Sequence, residues 1–269
     1  MPRSRPPSRS TLVAFAHELA DLTDKAVMPH FRKRIAVTNK DAAGGFDPVT
    51  AADRAAERVV RKAIRDRFPD HAITGEEFGS EGGSDYRWLI DPIDGTRAFI
   101  IGAPLWGTLI GLQVAGAPCI GLMSQPFTSE RFWSDGRVSR WSGPEGKTAR
   151  LRTRACAALS GAVLTSTHPD LFSGTAEKGF AALRRKVRMT RYGGDCYGYC
   201  LLAAGHVDLV VEAGLKPYDI VPLIPIIKSA GGVVTTWEGG PATDGGSIVA
   251  AGDRRLHRET LAVLQAACA

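Results

Sequence analysis

No apolar run in this sequence approaches the roughly 20 residues needed to span a bilayer, so no membrane partner is expected. The charged-then-apolar opening of a secretory leader is missing too. Met1 to Arg9 is instead basic, proline-rich and without large apolar side chains; it reads as a disordered tail over 1–10, with a transit peptide as the alternative. Cysteine is scarce. The five (Cys119, Cys156, Cys196, Cys200 and Cys268) are odd in number and show no zinc-type pair of pairs. Cys196 and Cys200 are spaced to share a helix face, but no second pair or histidine accompanies them. All five read as buried, reduced thiols, which suits a cytoplasmic protein. Aromatics make up only 7% of the chain and do not interleave with the basic residues. A net charge of +6 and a pI near 9.2 therefore lack the stacking partners of a single-strand nucleic-acid binder. The positive field suits a small phosphorylated anion, and no nucleic-acid partner is expected.

What is present is enough for a large core: 269 residues, 44% of them hydrophobic, broken by 30 glycines and 16 prolines. Apolar positions recur at helical spacing over residues 11–33 and again from Thr50 to Phe68, where Ala55, Val59, Ala63 and Ile64 form a stripe and Pro69 stops the helix. Ala72 to Thr74 and Arg87 to Ile90 read as short strands, and Gly107 to Trp133 as alternating β segments. The turn-rich stretch Trp141 to Lys147 suggests a boundary, giving an α+β part over 11–143 and an α/β part over 144–269. In the second part, strands are expected at 162–165, 187–190, 207–211, 233–236 and 247–250. Helices are expected at 175–184, 197–204, 218–229 and 254–267.

One stretch stands out. Asp91-Pro92-Ile93-Asp94-Gly95-Thr96 follows the apolar Trp88-Leu89-Ile90, so a buried strand ends in an oxygen-rich corner. Crowded acids must be neutralised, and oxygen-preferring divalent cations do so most simply. All six histidines (17, 30, 71, 168, 206 and 257) lie outside the acid-bearing segments, which disfavours a nucleophilic or metal-binding histidine. Asp53, in the first turn of its helix, reads as an acid favoured by the helix dipole.

The hexapeptide resembles the metal motif of the inositol monophosphatase superfamily of magnesium-dependent phosphatases. Gly75-Glu76-Glu77 is similar to the family's glutamate ligand motif. Asp47-Pro48-Val49-Thr50-Ala51-Ala52-Asp53 is similar to an upstream family element, and Lys216-Pro217-Tyr218-Asp219 with Ala230-Gly231-Gly232 to the segment supplying a last ligand. The resemblance implies the layered αβαβα fold of the fructose-1,6-bisphosphatase type, homodimers, and two or three Mg2+ ions per subunit. It further implies that Glu76, Asp91 and the Ile93 carbonyl hold one metal and that Asp91, Asp94 and Asp219 hold a second. Backbone N–H groups of Gly95 and Thr96 would then face the phosphate, and the Thr96 hydroxyl, oriented by Asp47, would position the attacking water with Glu76.

Phosphate monoesters hydrolyse so slowly that catalysis needs charge neutralisation and an aligned, activated water. Two ions about 4 Å apart provide both. For the substrate, Arg97-Ala98-Phe99-Ile100-Ile101-Gly102-Ala103-Pro104-Leu105-Trp106-Gly107-Thr108-Leu109-Ile110, Gly193 to Tyr197 and Gly205 to Asp219 look like the histidinol-phosphate phosphatase branch. The expected reaction is release of L-histidinol from its phosphate in histidine biosynthesis, with Asp94, Asp195 and Glu212 at the substrate. Inositol-1-phosphate hydrolysis, or broader action on sugar and nucleotide phosphates, is the alternative. A non-catalytic binding protein on the same fold is a more remote one.

Overall fold

The computed structural model describes residues 6–34, 36–39 and 48–268, the side chains of Pro48, Val49 and Cys268 excepted. Helix α1 (Arg9–Val27) is followed by a two-stranded ribbon, β1 (Val37–Asn39) and β2 (Pro48–Thr50), and by α2 (Ala51–Arg67). Next come β3 (Ala72–Gly75), β4 (Gly79–Glu81), β5 (Tyr86–Asp94), the short α3 (Thr96–Ile100), β6 (Gly107–Val114), β7 (Ala117–Gln125), β8 (Glu130–Ser134), β9 (Ser139–Ser142) and β10 (Thr148–Arg150). These eight strands form one mixed sheet in the order β10-β9-β8-β7-β6-β5-β3-β4, with only β3 and β5 parallel. The expected boundary after residue 143 falls between β9 and β10, and the first sheet ends at Arg150.

The second sheet uses β11 (Val163–Ser166), β12 (Met189–Tyr192), β13 (Leu209–Leu215), β14 (Val233–Thr236) and β15 (Gly246–Ala251) in the order β12-β11-β13-β15-β14. Between these strands lie α4 (Gly174–Arg184), α5 (Asp195–Ala203), α6 (Pro217–Ile220) and α7 (Leu223–Ser229), and α8 (Arg254–Cys268) closes the fold. Three of the apolar clusters mark out the five layers. Leu19, Val60 and Ile64 pack α1 and α2 on the first sheet; Cys200, Ile220 and Ile226 fill the space between the sheets; Phe180, Leu183 and Leu264 cover the far face of the second. This is the expected αβαβα sandwich. Covered on both sides, β5 reads as the continuous run Trp88-Leu89-Ile90 rather than an alternation, as a strand buried on both faces must.

Several boundaries differ from the sequence reading. Helix α1 begins at Arg9, inside the expected tail, because the Ser8 hydroxyl accepts the Thr11 N–H at 3.1 Å; residues 1–5 lie outside the described residues. It ends near Val27 rather than 33, since Pro29 has no N–H to continue the helix beyond Met28. The helix expected over 218–229 is two helices, because Pro222 has no N–H to continue the first. Cys119 and Cys156 are only half-buried, whereas Cys196 and Cys200 are buried; Cys268 lies outside the described side chains.

The stripe on α2 is corrected as well. Val59 is 40% exposed, and the buried face carries Ala52, Ala56, Val60 and Ile64 together with Asp53, Glu57 and Arg61. Three charged residues point inward. Asp53 takes the helix-start role expected of it: its Oδ2 accepts the Thr50 N–H at 2.9 Å in a capping box.

On the outer face, His17 packs edge-on against Trp133 and lies 3.3 Å from the Arg131 guanidinium, with Asp21 on the same helix. Burial first, and then the Arg131 charge, lower its pKa from 6.5 to about 4. The unfolded chain therefore binds more protons than the folded one between those values, so this group's contribution to stability is lost as pH falls from about 6.5 to about 4. Thermal melts across that window are expected to fall less steeply in His17→Gln than in the wild type; parallel curves would refute it.

Candidate active site

The strand β5 carries its acids into an irregularity. Asp91 pairs opposite Leu109 and Asp94 opposite Gly107, with a register shift between them. Residues three apart on a regular strand face opposite sides; the shift cancels that and lets both carboxylates meet. The Thr108 hydroxyl donates to the Pro92 carbonyl at 2.8 Å, and Asp91 Oδ1 accepts the Ile93 N–H at 3.0 Å, which pins the irregular segment. Gly95 then turns the chain at φ 84°, and a Cβ there would come within 3.0 Å of the Leu105 carbonyl oxygen, so the turn requires glycine.

Carboxylate oxygens of Asp91, Asp94 and Asp219 lie within 4.8 Å of one another. Asp219 comes from α6 in the middle layer, where its Oδ2 also accepts the Lys216 N–H at 2.7 Å. Asp94 Oδ2 accepts the Cys196 N–H at 2.7 Å, tying the first sheet to the start of α5. Glu76 follows β3; its N–H donates to the Ile90 carbonyl at 3.2 Å, and its carboxyl bears on that of Asp91, which it helps to raise. The Thr96 hydroxyl donates to the Ile93 carbonyl at 3.1 Å. Asp47 lies outside the described residues.

Burial, reinforced by Glu76, Asp94 and Asp219, pushes the Asp91 carboxyl well above the ordinary range. Burial and then the charges of Asp195 and Asp219 do the same to Asp94. Asp219 is raised to about 7 by burial, with Glu76 and Glu212 adding to it against the Lys216 N–H. Among the described residues no lysine or arginine ion-pairs with Asp91, Asp94 or Asp219. A bound divalent cation would relieve that mutual repulsion. The neighbouring Cys196 thiol is itself pushed up by burial and by Asp94, so it stays protonated and offers no thiolate. An all-oxygen donor set of this kind fits magnesium better than zinc.

Beside the acids opens a cavity of ≈ 90 Å³, lined by Asp94, Thr167, Asp195, Tyr199, Glu212 and Asp219 among others. Glu212 is 2% exposed. Its Oε1 accepts the Thr167 N–H at 2.9 Å and the Thr167 hydroxyl, and its Oε2 accepts the Tyr199 hydroxyl at 3.1 Å. Burial raises Glu212 to about 7. Asp195 sits at φ 41°, in the left-handed region seldom used outside glycine. Burial takes its carboxyl up to about 6, against a Thr167 hydrogen bond and the Arg97 charge. Thr167, Tyr199 and Arg97 did not emerge as functional from the sequence. Thr167 and Tyr199 hold Glu212 by hydrogen bonds across the fold and the Arg97 charge bears on Asp195, and no local pattern marks such contacts.

The chain matches the Inositol monophosphatase family over residues 8–268. It is 42% identical over 265 residues to the chloroplastic bifunctional phosphatase IMPL2 of Arabidopsis thaliana, covering 94% of this chain and 74% of that protein. A histidinol-phosphatase of Chlorobaculum parvum is 33% identical, covering 93% of this chain and 95% of its own. Among solved structures, an inositol monophosphatase from Zymomonas mobilis superposes with a TM-score of 0.85 at 38% identity, covering 97% of this chain and all of that one (100%).

Proposed function

We propose that this chain, which belongs to the inositol monophosphatase family and is a phosphatase, hydrolyses histidinol phosphate to L-histidinol and phosphate with magnesium at its acid cluster. The observation that carries the reading is the meeting of Asp91, Asp94 and Asp219, from two different layers, within 4.8 Å.

In this proposal Glu76 and Asp91, with the Ile93 carbonyl, hold one ion, and Asp91, Asp94 and Asp219 hold a second. Bound magnesium supplies charge that offsets the phosphate oxygens and makes the attacking water more acidic. Glu76 and the Thr96 hydroxyl align that water. The N–H groups of Gly95 and Thr96 face the phosphate, where a left-handed glycine leaves the backbone open to an anion.

At the other end of the substrate, Asp94, Asp195 and Glu212 meet the ammonium and imidazole of histidinol. A cationic partner in that cavity would favour the ionised forms of Asp195 and Glu212, which burial otherwise disfavours. The hydrogen bonds from Thr167 and Tyr199 hold Glu212 in place before the substrate arrives. Glu212→Gln is accordingly expected to raise KM roughly tenfold while leaving magnesium affinity near the wild-type value. A collapse of metal binding in that variant would move Glu212 out of the substrate subsite.

Support for this substrate comes from the Arg97 to Ile110, Gly193 to Tyr197 and Gly205 to Asp219 segments, and from the likeness to a histidinol-phosphatase over 93% of the chain. Hydrolysis of inositol-1-phosphate is the second reading, favoured by the likeness to the Zymomonas mobilis structure. Steady-state kinetics on both esters decides between them. The proposal expects kcat/KM to be at least tenfold higher for histidinol phosphate; the reverse order overturns it.

A further inference from the structure

We infer that the buried Glu57–Arg61 ion pair on α2 is the device that aims Glu76 at the acid cluster, making Glu57 and Arg61 positioning residues. This rests on the reading of Glu76 given above.

Glu57 is fully buried and Arg61 3% exposed, and they pair one helical turn apart with Arg61 Nε 2.7 Å from Glu57 Oε1. Glu57 spends its remaining acceptor capacity on the two peptide N–H groups just after Glu76. Its Oε2 accepts from Glu77 at 2.7 Å and its Oε1 from Phe78 at 3.2 Å. Arg61 continues the grip by donating to the Gly79 carbonyl and by facing Glu81 at 3.3 Å. On the other side, the Glu76 N–H is tied to Ile90 of β5 at 3.2 Å. The peptide carrying Glu76 is thus held between the helix layer and the sheet, bonded to β5 at the residue before Asp91.

Other contacts close the turn as well: Gly75 pairs with Gly79 in the β3–β4 hairpin, Arg54 lies 3.6 Å from the Glu77 carboxylate, and Arg58 covers the Phe78 ring at 5.0 Å. Phe78, Gly79 and Ser80 are exposed, so apolar burial does not hold it in place. A neutral helix face would have packed against the first sheet at lower electrostatic cost, because burying two charges carries a desolvation penalty. What the charged pair adds is direction: a carboxylate accepts two adjacent N–H groups at once, and its arginine neutralises it and seizes the next carbonyl. Gly75 is shaped to this arrangement. A Cβ built there would lie 2.1 Å from Glu57 Oε1, so any side chain at position 75 displaces the carboxylate.

The test compares Glu57→Gln and Gly75→Ala with Ile64→Ala, a fully buried position on the same helix that does not touch the turn. Three quantities are read on the whole protein: thermal midpoint, magnesium affinity by titration calorimetry without substrate, and amide exchange at Glu77 and Phe78. Both turn variants are expected to weaken magnesium binding about 10- to 100-fold and to speed exchange at those two amides. Ile64→Ala is expected to lower the midpoint at least as far, yet keep magnesium affinity within about threefold of wild type. Should Glu57→Gln fail to fold, Gly75→Ala carries the test, since it disturbs the same carboxylate from outside the helix. Wild-type magnesium affinity in a folded turn variant overturns the inference, and so does unchanged protection at Glu77 and Phe78. If the wild type takes up no magnesium, the metal reading fails, and exchange at those amides alone still decides for or against the clamp.

Discussion

Asp91→Asn is expected to be nearly inactive and, without divalent ions, more heat-stable than the wild type. Asp91 is 3% exposed and shares its surroundings with Glu76, Asp94 and Asp219, and its carboxyl is raised by burial and by those neighbours. An amide of the same shape cannot ionise, so the metal-free fold no longer bears the cost of burying or protonating that acid, and it keeps an oxygen to accept the Ile93 N–H. It also offers an N–H2 group to an adjacent carboxylate. Relief of roughly 1–2 kcal/mol would raise the metal-free midpoint by a few degrees in a chain of this length. The same substitution takes a donor from both proposed magnesium positions. Loss of about 4 kcal/mol of transition-state stabilisation corresponds to a fall of about 10³-fold in kcat. Opposite signs for stability and activity are the signature of an acid kept for function. A variant with a lower metal-free midpoint and intact magnesium response would show Asp91 to be a structural hydrogen-bonding group.

Chelation is expected to abolish phosphate release, and magnesium, but not zinc at equal concentration, to restore it fully. Magnesium at about 100 times its dissociation constant should stabilise the fold by about 2.7 kcal/mol, a rise of about 5 °C or more in the midpoint. That response depends on carboxylates from two layers being drawn together, so it should vanish in Asp91→Asn and in Asp219→Asn alike. Turnover that survives exhaustive chelation would end the magnesium proposal, whatever the geometry of the acids.

How far the site was readable follows from the range of the forces involved. Asp91 to Thr96 is a local device: a strand end, a register shift, a left-handed glycine and two acids all lie within six residues. Proline and glycine announce such turns in sequence because their backbone limits are intrinsic. The α2 face is hidden from the sequence for the converse reason. Amphipathic spacing assumes that charge faces water and so turns Val59 inward. Glu57 and Arg61 break it because their partners, the peptides of residues 77–79, come from the next loop and satisfy them in the interior. Thr167 and Tyr199 escaped notice on similar grounds, since their value lies in a glutamate 45 and 13 residues away.

Most of the strands and helices and the acid-rich corner after β5 were determined by the sequence alone, because each depends on neighbours along the chain. The family resemblance assigned Asp219 to the cluster, but only the tertiary structure decided that it reaches from the middle layer to within 4.8 Å of Asp91 and Asp94, and that an ion pair inside α2 grips the turn behind Glu76. Those contacts exist because layers pack face to face. Packing brings together groups whose separation along the chain carries no trace of their closeness in space.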